Sequence, residues 1–259
     1  MLLNAIHKGI AEEINKKRKL LSKFEKAHER IYKRLEHQIE VEANIHSARI
    51  EDENSYTKNF MTNKSNKNVL KSFKNIQAAF TFGYSNFKPG YVDENLIKGI
   101  ARIVESINSD YRLVGVRPKG AIWTPPYPGK IRYEMDLFLK ELNYLLFLSE
   151  DEKKKGNYIP AVEAAIFSHL HLVRIHPFED GNGRTSRIIQ NIILRYYGFP
   201  PPVIYNGEKL FYCDLLEKAI VGYRDRIGIH QPFLSREEII FYNYIAEKIN
   251  LSLDKILNL

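Results

Sequence analysis

Apolar residues recur every three or four positions along most of this chain, a period that predicts helices almost throughout. Over residues 4–50 the stripe runs through Ile6, Ile10 and Ile14, then Phe24, Ala27, Ile31, Leu35 and Ile39. Ser22 and Glu25 match a capping box, in which a hydroxyl and a carboxylate satisfy orphan N–H groups, so a break near Leu21 is expected. Residues 51–68, rich in Asn, Lys and Ser, read as turn and loop. Further helices are expected over 69–80, 93–107 with Asp93 as cap, 132–148, 160–175, 208–221 and 236–257. Gly83 to Gly90 reads as a loop, and 151–157 as a charged one.

Two stretches depart from that pattern. Between Tyr111 and Lys130, Val114, Val116, Ile122 and Trp123 flank Arg117-Pro118-Lys119-Gly120, and Pro125-Pro126 and Pro128-Gly129 close the segment. This reads as a short hairpin, the one β element expected. Residues 160–175 are apolar nearly all round, which places that helix at the centre of a bundle. Beyond it, Ile188-Ile189, Ile192-Ile193 and Tyr196-Tyr197 repeat every four residues until Gly198 and Pro200 to Pro202 stop the helix. The fold class is therefore all-α: a compact helical domain over 69–259, with a β-hairpin and an N-terminal helical extension over 1–68, together one structural unit.

Composition narrows the setting. A chain of 259 residues with 44% hydrophobic content can bury one large core. No apolar run reaches the roughly 18 residues of a membrane span, and Met1-Leu2-Leu3 gives way to His7, Lys8, Glu12 and Glu13, unlike a signal peptide. The single cysteine, Cys213, fits a reducing compartment, so a cytoplasmic protein is expected. Net charge is +8, and residues 1–37 hold ten Lys or Arg against five Glu. That excess reads as a solvated helix face; no basic and aromatic interleaving marks a nucleic-acid platform.

The chemistry concentrates in His176-Pro177-Phe178-Glu179-Asp180-Gly181-Asn182-Gly183-Arg184-Thr185-Ser186-Arg187. Gly181 and Gly183 free the backbone to approach a ligand, and the N–H groups at the start of the following helix favour anions. Arg184 and Arg187, three apart, share the first turn and can reach successive phosphates. Asp180 is a hard oxygen ligand suited to Mg²⁺, and His176 can accept a proton near neutral pH. A zinc site from His169, His171 and His176 is disfavoured, because His-x-His places two side chains about 200° apart on a helix. His169 and His171 are expected as packed or hydrogen-bonded core residues.

The same twelve residues resemble the Fic family signature, His-x-Phe-x-(Asp/Glu)-Gly-Asn-Gly-Arg-x-x-Arg, without departure. Tyr111 to Ile131 is similar to the family's flap hairpin, and Phe199 to Leu216 to the segment lining its adenine pocket. The resemblance implies a helical domain that moves AMP from ATP to a Ser, Thr or Tyr hydroxyl of a target protein. His176 would then be the base and Asp180 the Mg²⁺ ligand. Gly181, Asn182 and Gly183 would cradle the phosphates, Arg184 and Arg187 would take the outer ones, and Tyr212 and Leu215 would wall the adenine. The flap over 113–124 would pair with the target by strand addition. The resemblance also admits a homodimer, and no winged helix of the kind some relatives append is expected after the last helix.

Ser47 to Asp52 resembles the inhibitory helix motif of self-restraining members, (Ser/Thr)-x-x-x-Glu-(Gly/Asn), with Asp52 where the motif has Gly or Asn. Ser47 and Glu51 are i and i+4, on one helix face. Glu51 is expected to compete with the γ-phosphate for Arg187, and removal of AMP from the target is a further activity of some such members. Two rivals remain. One is a variant moving another phosphate-containing group, against which stands Gly183 where Doc-like members carry Lys. The other is an inert site on a nucleic-acid- or protein-binding module.

Overall fold

The protein, seen here as a computed structural model, is described over residues 3–51, 63–105, 110–118 and 120–257. Nine α-helices run through the described residues: α1 Lys8–Ala27, α2 Glu29–Glu51, α3 Asn63–Asn86, α4 Glu94–Glu105, α5 Ile131–Lys154, α6 Ile159–Ile175, α7 Asn182–Tyr196, α8 Lys209–Gly228 and α9 Arg236–Leu257. Asp52, on which the expected end of the inhibitory motif turned, lies outside the described residues.

Helix α6 is the axis of the core. Every residue from Pro160 to Ile175 is buried, because the helix is packed by α5, α7, α8, α9 and α1 on different sides. That is the arrangement its unbroken apolarity requires. Helix α1 lies on α9, and α2 lies against α3 and α7. Charged contacts fasten α2 across this surface: Arg195 to Glu40 at 2.7 Å, Lys255 to Glu42 at 2.7 Å, and His46 to Asn206 at 2.9 Å. The entering chain is fixed as well. The Glu163 carboxylate on α6 accepts the N–H groups of Asn4, Ala5 and Ile6 at 3.2, 2.6 and 3.2 Å.

Helix ends differ from expectation for local reasons. The first break falls at His28 rather than Leu21: α1 passes straight through Ser22 because Ile14 and Leu21, one stripe of its inner face, are fully buried. Helix α3 runs through Gly83 instead of ending at 80. A Cβ there would lie 2.4 Å from Ile192 and 2.8 Å from Ile100, so this glycine serves close helix packing rather than a turn. Helix α5 absorbs the charged stretch to Lys154, with Asp151 and Lys155 paired one turn apart at 3.0 Å.

The expected hairpin is absent among the described residues of 110–127; the bridge between Lys88 and Tyr91 is the pairing found. A single turn closes there, from the Ala121 N–H to the Pro118 carbonyl at 3.1 Å. Pro118, Pro125 and Pro126 supply no N–H for a ladder, and a two-stranded ribbon without a third strand is marginal. The segment is an extended loop lying over the end of α6. Among the described residues no helix is long and apolar enough to cross a membrane.

Candidate active site

His176 caps α6 in the left-handed region, φ 52° and ψ 57°, with its N–H donated to Leu172 at 3.0 Å. A non-glycine residue there is strained and must be held by its surroundings. Its Nδ1 lies 3.2 Å from the Val173 carbonyl. A carbonyl oxygen only accepts, so Nδ1 carries the proton and Nε2 presents a lone pair. Trp123 meets the ring edge-on at 5.9 Å. Burial pushes the imidazole pKa down to about 4, against the opposing pull of the Val173 hydrogen bond, so the ring is neutral at pH 7.

The loop after His176 is tied by one amide. Asn182 accepts the Phe178 N–H and donates to the Phe178 carbonyl, both at 2.9 Å. Its side chain is thus a staple of the loop, leaving the backbone as its route to a ligand. Gly181 takes φ 75°, whereas Gly183 is helical and needs only the missing side chain. A Cβ on Gly183 would stand 2.5 Å from a Glu51 oxygen. Thr185 is the first residue of α7 to turn its N–H back, to Gly181 at 2.9 Å. Earlier N–H groups face outward at the positive end of the helix dipole.

Both arginines are engaged by carboxylates. Arg187, 6% exposed, donates to the Ser47 hydroxyl at 2.8 Å and pairs with Glu51 at 2.6 Å. Glu51 feels burial as an upward pull on its pKa, but Arg187 and Arg184 outweigh it and hold the carboxyl ionised. About a third of that side chain remains exposed, so solvent screens the pair. Arg184 pairs with Glu105 at 2.5 Å and stands 3.6 Å from Asp180. Burial raises the Glu105 pKa despite Arg184. A Cβ on Gly181 would come 2.8 Å from a Glu105 oxygen, so a carboxylate covers each glycine of the loop. Glu105 was not read from the sequence; it ends α4, an amphipathic helix far upstream, where nothing local marks it.

Asp180 is mostly exposed, with one oxygen accepting the Gly181 N–H at 2.6 Å. Among the described residues no three His, Cys, Asp or Glu gather as a metal cluster. One exposed carboxylate beside the N–H groups opening α7 would suit an Mg²⁺ whose other ligands come from phosphates and water.

Tyr212, expected as part of the adenine wall, lies deep in the core. It is 2% exposed, behind Arg187: its hydroxyl lies 2.7 Å from His169 Nε2 and 3.5 Å from Arg187. His169 Nδ1 meets the Gln190 carbonyl oxygen at 2.9 Å and so carries the proton, leaving Nε2 to accept from Tyr212. Leu215, the other residue expected there, is half-buried on the next turn of α8. His171 accepts from Arg174 at 3.2 Å inside the core.

A histidine, a glycine bend entering a helix and two arginines on the first two turns of that helix lie together on an all-helical scaffold. Residues 91–194 match the Fic/DOC family. Over 98 residues, 38% of this chain, it is 38% identical to a protein adenylyltransferase Fic of Aedes aegypti and 39% identical to one of Nematostella vectensis. The match spans 18% and 21% of those relatives' own lengths. In fold, the chain resembles Fic-1 (aa134 - 508) from C. elegans, with a TM-score of 0.70 at 19% identity over 96% of this chain and 71% of that one. A Fic domain containing signaling protein from Bacteroides thetaiotaomicron gives 0.66 at 21% identity, covering 93% and 98%.

Proposed function

We propose that the protein is an adenylyltransferase that moves AMP from ATP to a hydroxyl side chain of a target protein and is restrained by Glu51. The observation that carries this is the junction of α6 and α7, where a neutral imidazole offers Nε2 beside a glycine bend, the buried Arg187 and the half-buried Arg184. The names of the relatives matched over 98 residues support the same chemistry.

In this reading the target hydroxyl oxygen bonds to the α-phosphorus while the bond to the α,β-bridging oxygen breaks. Pyrophosphate leaves, and the hydroxyl proton passes to His176 Nε2. The N–H groups opening α7 stabilise charge on the α-phosphoryl oxygens, the usual dominant contribution in such transfers. Arg184 and Arg187 hold the outer phosphates. Asp180 would hold Mg²⁺, which supplies charge neutralisation at the polyphosphate. The loop at 113–124 would receive an extended target segment.

Restraint follows from competition. Arg187 cannot serve the γ-phosphate while Glu51 lies 2.6 Å from its Nη2. A preference worth about 1.4 kcal/mol lowers productive occupancy about tenfold. Glu51→Gly should therefore label itself or lysate proteins from radiolabelled ATP about tenfold faster than wild type, and the Glu51→Gly/His176→Ala double variant should not label at all. Mass spectrometry of the labelled protein should find AMP. A phosphate adduct would move the assignment to the other transfer, and no adduct from Glu51→Gly would remove the enzyme reading.

A further inference from the structure

One buried charge has no part in that chemistry. Arg112, 2% exposed, lies at the entry to the 113–124 loop, and its guanidinium serves carbonyl oxygens. Nε donates to the His176 carbonyl at 2.7 Å, Nη1 to Val114 at 2.9 Å and Nη2 to Pro126 at 2.5 Å. Its own N–H donates to the Pro177 carbonyl at 2.9 Å. Val114 opens the loop and Pro126 lies just past its end, and His176 is the strained cap of α6.

We propose that Arg112 is a positioning residue: one planar guanidinium fastens both ends of the loop to the backbone of His176, so that loop and base keep a fixed relation. The geometry requires arginine. Its donors diverge in a rigid plane and reach three acceptors at once, whereas a lysine ammonium is a point charge on a flexible stem. The fastening has two consequences. The left-handed backbone of His176 is held from its carbonyl side as well as through its N–H. Trp123, 4% exposed within the loop, is kept edge-on to the imidazole. An incoming chain laid along this loop would then meet Nε2 at a distance set by Arg112, although Arg112 touches neither substrate.

The kinetic part of the test rests on the transferase reading; the optical part does not. Trp123 is the only tryptophan of the chain, so its fluorescence reports the loop directly. Arg112→Lys and Arg112→Met would be made in the Glu51→Gly background. Expected are a red-shifted Trp123 emission and at least threefold greater acrylamide quenching in Arg112→Met, with Arg112→Lys between it and the parent. The transfer kcat should fall at least tenfold in Arg112→Met while nucleotide affinity stays within twofold. Trp123 emission and quenching identical to the parent in the folded variants would overturn the proposal. So would loss of helix in Arg112→Lys, or nucleotide affinity and kcat falling together, because either means a general structural role. If the Glu51→Gly parent transfers nothing, the transferase reading fails, and Trp123 still decides the clamp.

Discussion

As the proposed base, His176 must be unprotonated, and burial supplies that condition. With the pKa lowered to about 4, protonation removes the lone pair only well below the range of an ordinary histidine. Transfer by Glu51→Gly should thus change less than about twofold between pH 7.5 and 5.5, in a pH–rate profile of kcat/KM. An acid limb with its midpoint near 6.5 would contradict this. Glu105 offers a second test on the opposite side of the cradle. If its carboxylate occupies Arg184 at the expense of phosphate, Glu105→Gln should tighten Mg²⁺–nucleotide binding about three- to tenfold by titration calorimetry, or roughly 0.7–1.4 kcal/mol. Weaker binding would mean that Glu105 orients Arg184 for the phosphates instead.

Helix α7 shows what a period and a punctuation mark disclose together. Its four-residue repeat and its stop at Gly198 were both legible, and Gly198 does sit at φ 76° with Arg18 against it and Arg18 Nε donating to Tyr197. Gly198→Ala should cost about 1–2 kcal/mol of unfolding free energy in urea, from left-handed strain and displacement of Arg18. An unchanged midpoint would show that the chain relaxes there freely. Other boundaries were not legible, because packing set them. Leu21 overrode a local capping signal, and Gly83 looked like a turn although it admits Ile192 and Ile100. The loop before α5 misled for a related reason: apolar residues around Pro-Lys-Gly resemble a hairpin, but prolines withhold the donors a ladder needs. The signature from His176 to Arg187 could be read outright because its roles are local in sequence. Glu105 and Arg112 act only through contacts that folding creates, and so does the hydroxyl of Tyr212 on His169.

At the scale of the whole molecule, the core encloses two histidines, His169 and His171, that burial keeps neutral. His169 on the central helix is fully enclosed, and burial lowers its pKa to about 3. The folded state then binds fewer protons than the unfolded state once the pH drops below about 6.5, so this contribution to stability is present above that pH and declines as the pH falls toward 3. His169→Gln lacks the titration. The stability gap between wild type and this variant, measured by urea unfolding, should shift against wild type by about 1 kcal/mol between pH 7.5 and 5.5. A gap independent of pH would contradict the buried neutral imidazole.

In the proposed function, the stapled loop and the paired arginines serve one nucleotide. The decisive measurement is a crystal structure of Glu51→Gly grown with Mg²⁺ and a non-hydrolysable ATP analogue. The prediction is a terminal phosphate within hydrogen-bonding distance of Arg187, and an α-phosphorus against the N–H groups opening α7 and facing His176 Nε2. A cleft still closed in that variant, or a nucleotide bound with its phosphates away from Arg187 and His176, would contradict it.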